Sequence, residues 1–281
     1  MFPDNDEFWS EFEGYLLNTY SKRTVKATIL YSKKYYNIIT GANAQELLKL
    51  SDQKRMHVMK ALASFSKYIG CYDKWQDIRN KYQLRWASPN GLEIFNDIIT
   101  DSKGNYASMV AWLEDVCSKL PTSYGNILLY NTLTGLRPDE ACKSISLIHK
   151  EEHNYLKKDI MALEHFKYPE FFIRRTKKAY ISIVTVPILE LARQSSVCGY
   201  NALRLALKRR SLNMNMAYCR KIYATNLRMN GIEQEIIDLL QGRTPKSVFV
   251  RNYFRPDYQY DRIRESINSL YRSLIVSCDW V

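Results

Sequence analysis

Three glycines punctuate the second half of this chain, and each closes a run of residues with helical spacing. Ile127, Leu128, Leu129 and Leu133 precede Gly135, a helix of roughly 216 to 230 precedes Gly231, and one of 232 to 241 precedes Gly242. Glycine just past a last turn accepts the left-handed conformation that ends a helix, so this pattern forces consecutive short helices. Proline marks the starts. Pro138 suits the first turn of the helix after Gly135, with Asp139 and Glu140 favourable at its N-terminus, and Thr244-Pro245 reads as an N-cap and first helical residue. Arg137 therefore sits at a bend between two helices, where a side chain can be aimed into a cleft.

Residues from about 7 to 86 also read as helices, with Phe8, Phe12, Tyr15 and Leu16, then Val25, Ile29, Tyr35 and Ile38, near a period of 3.6. Ser51 is the expected N-cap of a helix carrying Met56, Met59, Leu62, Phe65 and Ile69 and ended by Gly70. Its outer face carries Lys54, Arg55, Lys60 and Lys67, and Lys22, Arg23, Lys26, Lys33 and Lys34 precede it. The net charge is +12. A polyanionic partner follows, because neutralising phosphates releases condensed counterions. Lys22, Arg23, Lys26, Lys54, Arg55, Lys60 and Lys67 are the expected DNA contacts.

Turn residues cluster at Pro89, Asn90 and Gly91 and again from Asp101 to Asn105. They divide the chain into a helical domain of residues 1–88, a linker of 89–105, and a second domain of 106–281. That domain opens with helical spacing at Met109, Trp112, Leu113, Val116 and Leu120. From Phe171 the texture changes. Phe171 to Arg175 and Ala179 to Val186 are rich in aromatic and β-branched residues, which predicts a hairpin turning at Thr176, Lys177 and Lys178. Helices resume at about 199 to 211, and Phe249 and Tyr253 lie one turn apart on a short helix from Pro245 that Pro256 breaks. A tail with Ile263, Ile267, Leu270 and Leu274 at helical spacing packs in cis or docks on another subunit. The fold class is mainly α with a small antiparallel β-sheet.

The six cysteines, at 71, 117, 142, 198, 219 and 278, lack the close spacing of a zinc or redox motif and read as reduced thiols. The acidic start lacks a signal-peptide pattern, and no apolar run approaches the roughly 20 residues of a membrane span. A soluble cytoplasmic protein is expected.

The chemistry follows from the residue types. A phosphodiester under attack gains charge on its nonbridging oxygens, and two guanidiniums, Arg137 and Arg220, can clamp those oxygens without losing their protons. Tyr253 suits the nucleophile, because a phosphotyrosine ester conserves the bond energy for resealing. The leaving 5′ oxygen needs a proton, and Lys177 at the hairpin tip is the expected general acid, with Lys178 close behind.

Thr134 to Ala141 resembles the first arginine box of the tyrosine recombinases (phage-type integrases), most closely those of archaeal viruses and plasmids. Arg220 resembles the start of the second box, and Gly242-Arg243 through Tyr253 the last. Arg220 to Arg243 spans 23 positions and Arg243 to Tyr253 ten, as in the family's C-terminal block. The resemblance covers the C-terminal region, and the N-terminal helices resemble the family's core-binding domain. It implies a two-domain DNA clamp, catalytic residues Arg137, Lys177, Arg220, Arg243 and Tyr253, and strand cleavage and rejoining without metal, nucleotide or other cofactor. It further implies double-stranded attachment sites as partner and a homotetramer that exchanges strands pairwise. Two positions depart from the pattern: three before Arg220, where most members carry histidine and archaeal ones lysine, stands Ala217, and where the family often has histidine or tryptophan stands Arg243, as archaeal members tend to have. The alternatives are a noncatalytic DNA-binding relative, which Ala217 keeps open, and strand relaxation of the type IB topoisomerase kind.

Overall fold

A computed structural model describes residues 6–41, 43–86, 91–92, 95–96, 105–174, 177–243 and 259–277. The chain divides into two compact units, 1–100 and 101–281. Most of the expected linker, 89–105, lies outside the described residues, as do the expected helix from Pro245, Tyr253 and Cys278.

The first unit is helical: α1 (Asp6–Leu17), α2 (Lys22–Tyr35), α3 (Asn37–Thr40), α4 (Gln45–Leu48), α5 (Asp52–Tyr68) and α6 (Tyr72–Lys81). Phe12, Leu16, Val25, Tyr35, Ile38, Met59, Leu62 and Phe65 are buried as their spacing predicts. Trp9 and Trp75 complete this core. Tyr15 stays exposed while its ring stacks on Phe12. Ser51 precedes α5 but its side chain makes no cap hydrogen bond. Gly70 follows α5 at φ +71°.

The second unit begins with α7 (Tyr106–Lys119), α8 (Thr122–Thr134) and α9 (Pro138–Tyr155). Almost all of α8 is buried, as a central helix must be. Gly135 ends it at φ +64°, and a β-carbon there would lie 2.3 Å from the Tyr223 ring, so both conformation and space require glycine.

Strands β1 (Leu156–Lys157), β2 (Ala162–Leu163) and β3 (Ser182–Ile183) form an antiparallel sheet in the order β1-β2-β3. Leu156 pairs with Leu163, and Ala162 with Ile183. The predicted hairpin is corrected here. Pro169–Phe172 forms a short helix, α10, and among the described residues the two arms are joined by the bridge between Ile173 and Lys178 and by the bonds from Arg174 N–H to the Lys177 carbonyl and from Ala179 N–H to the Phe172 carbonyl. Packing overrides strand propensity here, and Phe172 is buried and stacks on His165 at 4.5 Å. Val186, predicted as strand, instead begins α11 (Val186–Arg193), with Pro187 in its first turn and Ile188, Leu189 and Leu191 buried.

The remaining helices among the described residues are α12 (Tyr200–Arg209), α13 (Ala217–Met229), α14 (Gln234–Leu240) and α15 (Tyr260–Ser277). Ile263, Ile267, Leu270 and Leu274 of α15 are buried against α8 and α13 of the same chain. Asn226 donates to the Ser266 carbonyl at 3.1 Å, which fixes the tail in cis. The described cysteines are all free thiols.

Candidate functional site

Arg137 is the N-cap of α9, in extended conformation between Gly135 and Pro138. The Glu140 carboxylate, one turn on, accepts the Arg137 backbone N–H at 3.0 Å, which is half of a capping box. It also accepts Arg137 Nη1 at 3.0 and 3.3 Å. Glu140 is wholly buried, and Arg174 Nη2 reaches the same carboxylate at 2.6 Å. A buried carboxylate deprived of its partners would cost several kcal/mol, so two arginines on one acid make a stable core to the site.

Arg137 Nη1 also donates to the Lys178 carbonyl at 3.1 Å. That carbonyl is pressed from its other side by Gly242, which follows α14 at φ +72°. The Arg174 N–H donates to the Lys177 carbonyl at 2.9 Å and closes the turn between them. Lys177, predicted at the tip, is thus the closing residue of the turn, with an exposed side chain. Lys178 is half-buried, because its backbone is the point where the turn meets α9 and the end of α14.

Arg220 lies one turn into α13. Its Nη2 donates to the Gln241 carbonyl at 2.8 Å, and Gln241 Nε2 returns a bond to the Arg220 carbonyl at 3.0 Å. Burial is the main force pushing the Arg220 guanidinium down to about 10; the Arg137 charge adds to it, Glu140 opposes it, and Arg243 adds again. Arg220 stays charged at neutral pH, and its neighbours show that the three arginines share one electrostatic environment. Arg243 is exposed and bonds Asp238 at 2.5 Å. Arg137 and Arg220 are each held through one terminal nitrogen. Among the described residues nothing occupies their other N–H groups, which leaves donors for an anion.

Residues 128–266 match the family model described as archaeal phage integrase. This chain is related to the phage-type integrases. The matched stretch of the integrase relative begins inside α8 and ends inside α15, so it spans all five predicted site residues and excludes the first unit. A search among curated proteins finds no match.

Of those five residues, Arg137, Arg220 and Arg243 are brought together with the Lys177 turn, while Tyr253 lies outside the described residues. Ala217 is exposed at the first position of α13. Lys221, four residues on, has its ammonium 5.4 Å from the Tyr218 ring centre. Sequence reasoning missed Glu140 and Arg174 as site partners. A glutamate three residues after an N-cap was the available signal for the first; no spacing rule predicts a partner 34 residues away.

In the first unit Lys22, Lys26, Lys54, Lys60 and Lys67 are exposed, and the Arg23 side chain lies outside the described residues. Arg55 is half-buried and ion-paired to Asp52. Three-residue spacing on a helix places the two together, and a surface pair of this kind holds by only about 0–1 kcal/mol. No helix among the described residues is long and apolar enough to cross a membrane.

Proposed function

We propose that this integrase relative is a site-specific DNA recombinase that cleaves and rejoins duplex DNA through a 3′-phosphotyrosyl intermediate. The observation that carries the reading is the grouping of Arg137, Arg220 and Arg243 beside the Lys177 turn, with N–H groups of Arg137 and Arg220 that nothing among the described residues occupies. Arg137 and Arg220 hold the nonbridging oxygens of the scissile phosphate as negative charge builds on them. The Tyr253 oxygen attacks phosphorus, the bond from phosphorus to the 5′ oxygen breaks, and Lys177 delivers the proton that the 5′ oxygen takes up. Water accepts the phenolic proton, since Ala217 offers no basic group and Lys221 is turned toward Tyr218. Attack by a 5′ hydroxyl reverses each step, so no ATP is consumed.

In this reading the exposed lysines of the first unit bind phosphates, both units engage the same duplex as a clamp, and four copies act on paired attachment sites of a mobile element. The rival reading, a relative that binds and does not cut, draws on Ala217. Incubation with nicked duplexes of candidate attachment sites separates the two: a denaturation-resistant protein–DNA adduct supports the recombinase, and tight binding without adduct supports the binder.

A further inference from the structure

Glu140 is fully buried, and one arginine would suffice to neutralise it. Arg137 alone would then form a closed neutral pair with little attraction for a phosphate. The chain places a second arginine there. Arg174 Nη2 lies 2.6 Å from Glu140 Oε1, while Arg137 Nη1 lies 3.0 Å from the same oxygen. Asp139 is the other acid near Arg174, at 3.9 Å, but Lys143 already holds it at 3.0 Å. Glu140 is therefore the main partner of Arg174, and the trio of Arg137, Arg174 and Glu140 keeps one net positive charge in a partly desolvated place.

We infer that Arg174 is a positioning residue for the site: it supplies the second counter-charge on Glu140, leaving Arg137 a net charge and open donors for the scissile phosphate. The inference rests on the recombinase reading above. A second contact strengthens it. The Arg174 N–H closes the turn onto the Lys177 carbonyl, so the residue that balances Glu140 also sets the turn carrying the general acid. Arg137 binds the neighbouring Lys178 carbonyl. Clamp and acid are thus tied to one buried carboxylate from two sides.

The test is formation of covalent adduct on nicked site DNA by wild type, Arg174→Ala, Arg174→Lys, Glu140→Gln, and Arg174→Ala combined with Glu140→Gln. In the wild-type background Arg174→Ala should slow adduct formation about 10- to 100-fold, the scale of weakening one transition-state donor, while DNA affinity changes less than about 3-fold. Arg174→Lys keeps the charge and should fall within about 5-fold of wild type, and it serves if the alanine variant fails to fold. Glu140→Gln removes the charge that Arg174 balances. In that background Arg174→Ala should cost less than about 3-fold, a suppression that a merely structural role would not produce. Equal losses in both backgrounds, or wild-type rates for Arg174→Ala, overturn the inference and leave the recombinase reading standing. A wild-type chain that forms no adduct overturns both.

Discussion

Gly242 and Lys178 meet so closely that a β-carbon at 242 would lie 1.7 Å from the Lys178 carbonyl oxygen. The same oxygen accepts Arg137 Nη1, so the exit of α14 and the start of α9 are both registered on the arm of the Lys177 turn. Gly242→Ala adds a backbone clash to the strain of φ +72°. It is expected to lower stability by about 1–3 kcal/mol, the range of strain at a special backbone position. Chemical denaturation checks this, and a change below about 0.5 kcal/mol would mean that the contact relaxes freely.

The arginines are predicted to act on the transition state. Arg137→Ala and Arg220→Ala should bind site DNA and lose cleavage by at least about 10²-fold, the scale for one lost oxyanion donor. Single-turnover cleavage together with binding titrations measures both. Arg137→Ala should also lower the melting temperature, because it removes one of the two cations on buried Glu140.

Much of this arrangement was legible in the sequence, for reasons that differ by element. Gly135, Gly231 and Gly242 all stand at positive φ behind helices, since a left-handed exit is written in one residue. Arg137 at its bend was equally local, fixed by Gly135 and Pro138. Strands of two residues show no period, so β1 and β2 left no signal, and the aromatic run at Phe171 and Phe172 served packing around His165 instead of pairing. Glu140 looked like a helix-start residue and is also the acid on which Arg137 and Arg174 converge, a long-range fact that spacing does not encode.

Lys177 is predicted to be the proton donor and Lys178 a structural neighbour. The exposed Lys177 side chain at the turn contrasts with the half-buried Lys178, whose carbonyl is held by Arg137. Lys177→Ala should slow cleavage by about 10²- to 10⁴-fold, the usual contribution of general acid catalysis, and Lys178→Ala should have the smaller effect. A substrate with sulfur in place of the bridging 5′ oxygen needs no proton to leave. It should restore Lys177→Ala selectively, and equal rescue of every variant would remove Lys177 from the role.

A buried polar chain beneath the site predicts acid sensitivity. His165 lies 2.5 Å from the Tyr155 hydroxyl and 2.8 Å from the Ser182 hydroxyl, and burial pushes its imidazole down to about 3. The unfolded chain, with an ordinary value of about 6.5, takes up the proton first. The stabilising contribution is therefore complete above about pH 6.5 and is lost progressively as pH falls toward 3. Between pH 7 and 4.5 this group should remove about 2–3 kcal/mol. Urea unfolding at the two pH values, compared between wild type and His165→Asn, isolates it; parallel losses in the two proteins would show that His165 does not titrate on unfolding.

Tyr253 is expected to form the covalent bond to DNA. Wild type and Tyr253→Phe, each incubated with a nicked suicide duplex carrying the attachment site, test it in one experiment, with the adducted peptide then mapped by mass spectrometry. The wild type should carry its adduct on the peptide containing Tyr253 and the phenylalanine variant should form none, although both bind the duplex. An adduct that persists in Tyr253→Phe, or that maps to Tyr258 or Tyr260, would contradict it.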